Sequence, residues 1–192
     1  FETGFAEDVL QLLAAPRRAL DTASAQVALI RSVLGFDDPK RYLVVMQNQD
    51  EIRATGGFIG AVIEFPLRDG VLGVVKFDDS TMVDIPPLVN NPLAPEPLYW
   101  YLWSSRLLFR DANWSPHFPA SAKTLVDVYT KKHPVAIDGV ISATKVFALD
   151  LVDVLGTVSV PGIPDPVDRV IANQYIDGQL SYPCEDRHIS LK

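Results

Sequence analysis

The sequence predicts an α/β fold, a three-layer-like sandwich with a central mixed β-sheet covered by helices and a helical N-terminal segment in front of it. Three observations lead there. Valine-rich apolar runs of strand length recur at Tyr42–Met46 and Phe58–Phe65. An Asp-Gly pair, Asp69-Gly70, marks the turn of a hairpin after the second run. From Pro119 onward, strand-like and helix-like patterns alternate, which implies helical crossovers. The expected organisation is a helical lead-in over residues 1–38 and an α/β domain over 39–192.

In chain order, Phe5–Leu13 reads as a short helix that breaks or restarts at Pro16. Leu20, Ala23, Val27, Ile30 and Leu34 recur at spacings of three and four, the apolar stripe of a second helix, and Gly35 can take the left-handed cap. That stripe either packs on its own domain or ends a longer stalk from a membrane anchor. Tyr42–Met46 then suits a buried strand, ending abruptly at Gln47-Asn48-Gln49-Asp50-Glu51. Phe58–Phe65 and Val71–Phe77 form the arms of the hairpin turning at Arg68-Asp69-Gly70.

A proline-rich loop comes next, with five prolines between Pro86 and Pro97. After it come the aromatics Tyr99, Trp100, Tyr101 and Trp103, which can line an apolar groove, form a carbohydrate platform, or pack in the core or on a sheet edge. A strand is expected at Arg106–Phe109. Pro119 opens a helix carrying Ala122, Leu125, Val126 and Tyr129 on one face. A strand at Gly139–Ser142 precedes a helix capped by Ser142 and stopped by Gly156. Thr157–Val160 reads as a further strand, and Val167–Ile176 as the last helix.

Composition limits the function classes. Apolar residues are 48% and charged residues 21% of 192, a globular balance. A net charge of −7 argues against general nucleic-acid binding, which needs a basic footprint, while leaving room for a local phosphate pocket. The single cysteine, Cys184, rules out an internal disulfide and cysteine-cluster metal sites. No apolar run reaches the roughly 20 residues that span a bilayer. The chain opens on Phe1 rather than Met and reads as a processed fragment, which leaves room for an upstream anchor; separately, the tail after Pro183 is expected to continue.

Polar chemistry concentrates in two loops. Arg53-Ala54-Thr55-Gly56-Gly57 lies between two strands; its glycines can expose backbone N–H groups, and Arg53 can grip a phosphate with its planar fork. The Gly-Lys-Ser/Thr ending of a P-loop is missing, and the segment equally fits a bulge with a surface arginine. Arg110-Asp111-Ala112-Asn113-Trp114-Ser115-Pro116-His117 comes after a predicted strand end, where α/β sheets place ligands. There Arg110 can bind an anion and Asp111 can hold Mg²⁺ or accept a proton; an Arg–Asp ion pair shaping a turn is the competing reading. Ser115, His117 and Asp111 hold the ingredients of a hydrolytic triad, but the nucleophile elbow is absent. His117, His133 and His188 lack zinc-site spacing. Asp78, Asp79 and Asp84 suit either a hard cation or solvated loops.

Taken together, Gln47 through Gly60 and Arg110 through Pro116, with Asp138-Gly139-Val140-Ile141 and Leu155-Gly156-Thr157-Val158 behind them, closely resemble a bacterial family known as domain of unknown function 4012. The resemblance covers roughly Arg41 to Tyr182. More distantly, the layout is similar to the LytR–CpsA–Psr family, membrane-anchored extracytoplasmic enzymes that move glycopolymers from a polyprenyl pyrophosphate carrier onto peptidoglycan. That family carries Arg-Ser-Asp after one strand and Pro-Arg-Asp after a later one. Arg110-Asp111 matches the second motif with Phe109 in place of proline, whereas Arg53 keeps the first arginine and Ala54-Thr55 replace Ser-Asp.

The resemblance implies Arg53, Arg110 and Arg187 as pyrophosphate ligands, with Asp111 and Arg110 catalytic. It also implies Asp111 as a Mg²⁺ ligand and a possible glycopolymer phosphotransferase at the cell envelope, its partner a polyprenyl-pyrophosphate lipid or cell-wall glycan. Arginines and Mg²⁺ would neutralise the charge that develops on departing pyrophosphate. The missing aspartate beside Arg53 leaves a second expectation open, a non-catalytic envelope module that binds glycan or protein.

Overall fold

A computed structural model describes residues 20–84, 88–160, 163 and 165–176; the helix expected at Phe5–Leu13, Cys184 and Arg187 lie outside them. The fold is α/β with a mixed five-stranded sheet. The described residues group into two compact units, residues 20–40 with 66–73, and residues 41–65 with 74–176.

In the first unit, residues 20–33 form helix α1. Its stripe is laid out as the spacing predicts, yet Leu20, Val27 and Ile30 are all exposed. The helix ends where Gly35 turns left-handed (φ 73°) and the Phe36 N–H donates to the Arg31 carbonyl at 3.0 Å. A side chain at Gly35 would meet the Leu67 carbonyl oxygen at 2.4 Å, so only glycine fits. The hairpin turn closes against this cap: Asp69 and Gly70 N–H groups donate to the Gly35 and Leu34 carbonyls at 3.0 and 2.9 Å. Both turn residues have positive φ (52° and 73°), the conformation for which Asp-Gly is selected.

The strands are β1 (Lys40–Asn48), β2 (Phe58–Arg68), β3 (Val71–Leu72), β4 (Lys76–Asp79) and β5 (Gly139–Thr144). They hydrogen-bond in the order β3–β2–β1–β5, and β4 also pairs with β2. β1 and β5 run parallel, Tyr42 opposite Gly139 through Gln47 opposite Thr144. The returning arm of the hairpin, expected as one strand, is broken into β3 and β4. Opposite the break stands Pro66, which has no N–H to donate, and Gly73 bonds to the Pro66 carbonyl at 2.9 Å instead.

Helices of the second unit are α2 (Ser80–Val83), α3 (Glu96–Leu102), α4 (Phe118–Tyr129), α5 (Lys145–Leu155) and α6 (Arg169–Ile176). The core gathers Leu43 and Val45 from β1, Ile59 and Val62 from β2, Val83 from α2, and Leu125, Val128 and Tyr129 from α4, with Phe109 and Ala112 between. Alternation along β1 buries every second residue, Leu43, Val45 and then Gln47, so the sheet's inward face carries a polar group out at the C-terminal end of the strand. Thr144 rather than Ser142 caps α5, accepting from the Phe147 N–H at 3.3 Å, because β5 runs two residues further than expected.

Two expected strands are corrected. Arg106–Phe109 makes one bridge, Arg106 to Leu93, and then coils into a 3₁₀ turn at Phe109–Asp111, because Asp84 captures the Phe109 N–H at 2.6 Å. Thr157–Val160 is reduced to a bridge between Val158 and Val167, paired locally rather than into the sheet.

Candidate functional site

β1 ends in a loop bent by short-range bonds: the Asn48 side chain accepts from the Asp50 N–H at 3.2 Å, and Phe58 N–H closes back on the Glu51 carbonyl at 3.1 Å. Inside it, Ala54–Gly56 form a 3₁₀ turn in which Thr55 has φ 61°, followed by Gly56 at 127° and Gly57 at 123°. A positive φ is unfavourable for a β-branched residue such as threonine and persists only when the surroundings over-determine it. Here Gln47 supplies the restraint, donating to the Thr55 hydroxyl at 3.1 Å while accepting from Ser142. Gly57 cannot be replaced without movement, since a Cβ would lie 2.1 Å from the Asn48 carbonyl oxygen. Lys145, buried at the start of α5, pairs with Asp50 on the outer side of the loop.

The second segment is fastened from another direction. Asp84, at the end of α2, accepts from the Phe109 N–H at 2.6 Å and the Arg110 N–H at 3.4 Å. Burial pushes the Asp84 carboxyl above its ordinary range despite those two bonds and the nearby Arg110 charge. One residue past Ala112, the fully buried Asn113 donates to the Ala54 and Gly57 carbonyls, both at 2.8 Å. That amide hydrogen-bonds together two loops more than fifty residues apart in sequence.

The joined loops bring together three of the four residues singled out from the sequence. Arg53 Nε lies 3.6 Å from one oxygen of Asp111, and Arg110 Nε lies 3.9 Å from the other. The carboxylate is buried, whereas the two guanidinium groups are about one-third exposed. Arg53 also donates to the Ile52 carbonyl at 3.0 Å and stands 5.8 Å from the centroid of the Phe58 ring. Its Nε is buried without a hydrogen-bond partner, since the Asp111 contact is longer than a hydrogen bond. Two guanidinium groups thus face the Asp111 carboxylate, and the Asp84 carboxylate also stands near Arg110. Around them an open cavity of about 390 Å³ is lined by Arg53, Arg110, Asp111, Phe58, Leu102 and Trp103, with Ser104 and Leu108. That volume is in the range of small-molecule sites.

The donor set does not fit Mg²⁺. Asp111 presents each oxygen to an arginine, surroundings that repel a divalent cation, and among the described residues no group of three or more His, Cys, Asp or Glu side chains is gathered. Asp79 and Asp84 are engaged in backbone bonds, to Thr81 and to Phe109 and Arg110. Ser115 accepts from the His117 backbone N–H at 3.3 Å, a turn contact rather than a nucleophile–base pair. His133 stacks on Tyr129 with centroids 4.4 Å apart.

A family model described as a protein of unknown function, DUF4012, matches residues 37–177. The chain belongs to the DUF4012 family. No curated protein and no solved structure matches it. The DUF4012 match takes in Arg53, Asp84, Arg110, Asp111 and Asn113, so the whole cluster belongs to the family region.

Sequence reasoning passed over Asp84, Asn113 and Gln47 as site-building residues. Gln47 carried a signal, because it continues the inward alternation of Leu43 and Val45. Asn113 stood in the sequence only as one residue of the Arg110–His117 loop, and its partners, the Ala54 and Gly57 carbonyls, are backbone atoms without any sequence signature.

Proposed function

We propose that this DUF4012 chain is an extracytoplasmic envelope protein that binds a polyprenyl-pyrophosphate-linked glycopolymer, with Arg53 and Arg110 gripping the pyrophosphate. The observation that carries this reading is the pair of guanidinium groups converging on one cavity, one with a buried Nε that lacks a hydrogen-bond partner. An arginine's fixed fork matches phosphate oxygens, and a phosphate can take the place that Asp111 holds loosely at 3.6 and 3.9 Å. Phe58, Leu102 and Trp103 give the proximal isoprene units apolar walls. The reading extends the likeness to the LytR–CpsA–Psr enzymes, including their fold, and it places the chain at the membrane through an anchor. Asp111 serves as the counter-ion that holds two like charges side by side before the ligand arrives. Transfer of the glycopolymer is no part of what this donor set favours.

The two arginines' existing contacts with Asp111 favour a second reading, a non-catalytic module that binds glycan or protein. Thermal unfolding with a short isoprenyl pyrophosphate separates the two. A ligand at 100 times its Kd stabilises by about 2.7 kcal/mol, a rise of roughly 5–11 °C for a chain of this size. Wild type should show that rise with EDTA present and Arg110→Ala should not. Absence of any rise in a folded wild type would overturn the pyrophosphate reading and leave the second.

A further inference from the structure

Helix α3 has no buried residue. Around it Trp103 is 92% and Tyr101 82% exposed, Trp100 and Tyr99 about half or more, and Leu102 joins them. A short helix normally forms because one face is buried, and here that support is missing. What holds the segment instead is a stem: Leu93 bridges Arg106, Ala94 N–H donates to the Ser105 carbonyl at 3.2 Å, and Leu107 N–H to the Pro92 carbonyl at 2.9 Å. The buried Asn91 side chain ties the base to the Leu107 carbonyl at 2.9 Å, and Arg106 returns a bond to the Asn91 carbonyl at 3.1 Å. The tip, residues 95–104, is thus presented on a fixed stalk. It carries two tryptophans, two tyrosines and two leucines against one charge, Glu96.

We infer that this tip inserts into the interface of a phospholipid bilayer and so sets the mouth of the arginine cavity at the level of the phosphate groups. Tyr and Trp pair an apolar body with a polar edge and concentrate at membrane–water interfaces for that reason. With no residue of α3 buried and its aromatics exposed, a fluid solvent of lipid suits it better than a protein groove, which takes one face. The tip is continuous with the cavity, because Leu102 and Trp103 line both. Charge is complementary to the same depth: Arg53 and Arg110 beside the tip meet phosphates, while the aromatics enter below them. The inference rests on the pyrophosphate reading for the role of the cavity, but the binding surface is separate from it. Since the chain carries −7 overall, attachment depends on the aromatics and needs no anionic lipid.

Flotation with phosphatidylcholine vesicles tests this, with tryptophan emission as the second readout. Wild type should float with the vesicles and shift its emission to the blue. Trp100→Ser/Tyr101→Ser removes two side chains that neither line the cavity nor pack in the core. It should cut vesicle binding at least tenfold while keeping the thermal response to soluble isoprenyl pyrophosphate. Wild type that remains in solution, or a double variant that floats equally well, would overturn the inference. So would emission that responds to a soluble glycan and not to vesicles, which would make the tip a carbohydrate platform. A lost pyrophosphate response with vesicle binding intact would instead count against the proposed function alone.

Discussion

Asn113→Ala removes the side chain that hydrogen-bonds the second loop to the backbone of the first, beside the longer Arg53–Asp111 contact. Two buried bonds to the Ala54 and Gly57 carbonyls are lost, each worth about 1 kcal/mol net, and carbonyls stranded without a donor add desolvation costs of about 1–3 kcal/mol. Against that, Asn113 Oδ1 is itself buried without a partner, and removing it recovers part of the loss. The balance is a destabilisation of about 2–3 kcal/mol. At about 2–4 °C per kcal/mol for a chain of this size, the melting temperature should fall by roughly 4–12 °C. The affinity for a short isoprenyl pyrophosphate should fall as well, because Arg53 leaves its register with Arg110. Calorimetry of the variant beside Trp100→Ser, an exposed control expected to melt with the wild type, measures both. A drop of less than about 1 °C with affinity retained would refute the idea that Asn113 holds the site together.

The same geometry sets three further outcomes. Gly57→Ala, at φ 123° and facing the Asn48 carbonyl, should cost about 1–3 kcal/mol or more in urea unfolding and weaken pyrophosphate binding through the displaced loop. Asp111→Asn should tighten pyrophosphate binding about tenfold, or roughly 1.4 kcal/mol, in titrations with EDTA, since it removes the carboxylate that competes for both arginines; a Mg²⁺-dependent loss would show instead that Asp111 is a metal ligand. Glu64, buried under α4, tends upward by burial, but bonds from Tyr129 at 2.8 Å and from Arg41, with Lys76 nearby, hold its carboxyl below the usual 4.5. A depressed folded-state pKa gives stability that is present above the unfolded value and lost as pH falls through the folded one. Urea midpoints should therefore decline below pH 4.5 in wild type and decline less in Glu64→Gln, which should start about 1–3 kcal/mol lower at pH 7.

The sheet was legible because its signals are local. The continuous apolar run Tyr42–Met46, the Asp69-Gly70 pair at the turn, and Gly156 after a helical stretch each act within a few residues. The strand expected at Arg106–Phe109 failed for a non-local cause: the sequence there is apolar enough, but Asp84 claims the backbone donor a strand would use. The aromatics from Tyr99 to Trp103 also went against the commonest fate of such residues, since the stem at Asn91–Ala94 and Ser105–Leu107 holds them away from the core. Of the site, Arg53, Arg110 and Asp111 could be read from residue type and loop position. Their meeting depends on Asn113 bonding to backbone carbonyls, and carbonyls leave no mark in a sequence.

Titration calorimetry of a short isoprenyl pyrophosphate in EDTA, into wild type, Arg53→Ala, Arg110→Ala and the double variant, tests the joint arginine site most directly. Both single variants should bind at least tenfold more weakly, and the double variant should lose less than the product of the two, as expected when two groups act on one ligand. Equal affinity in all four proteins, or binding that depends on neither arginine, would contradict the account.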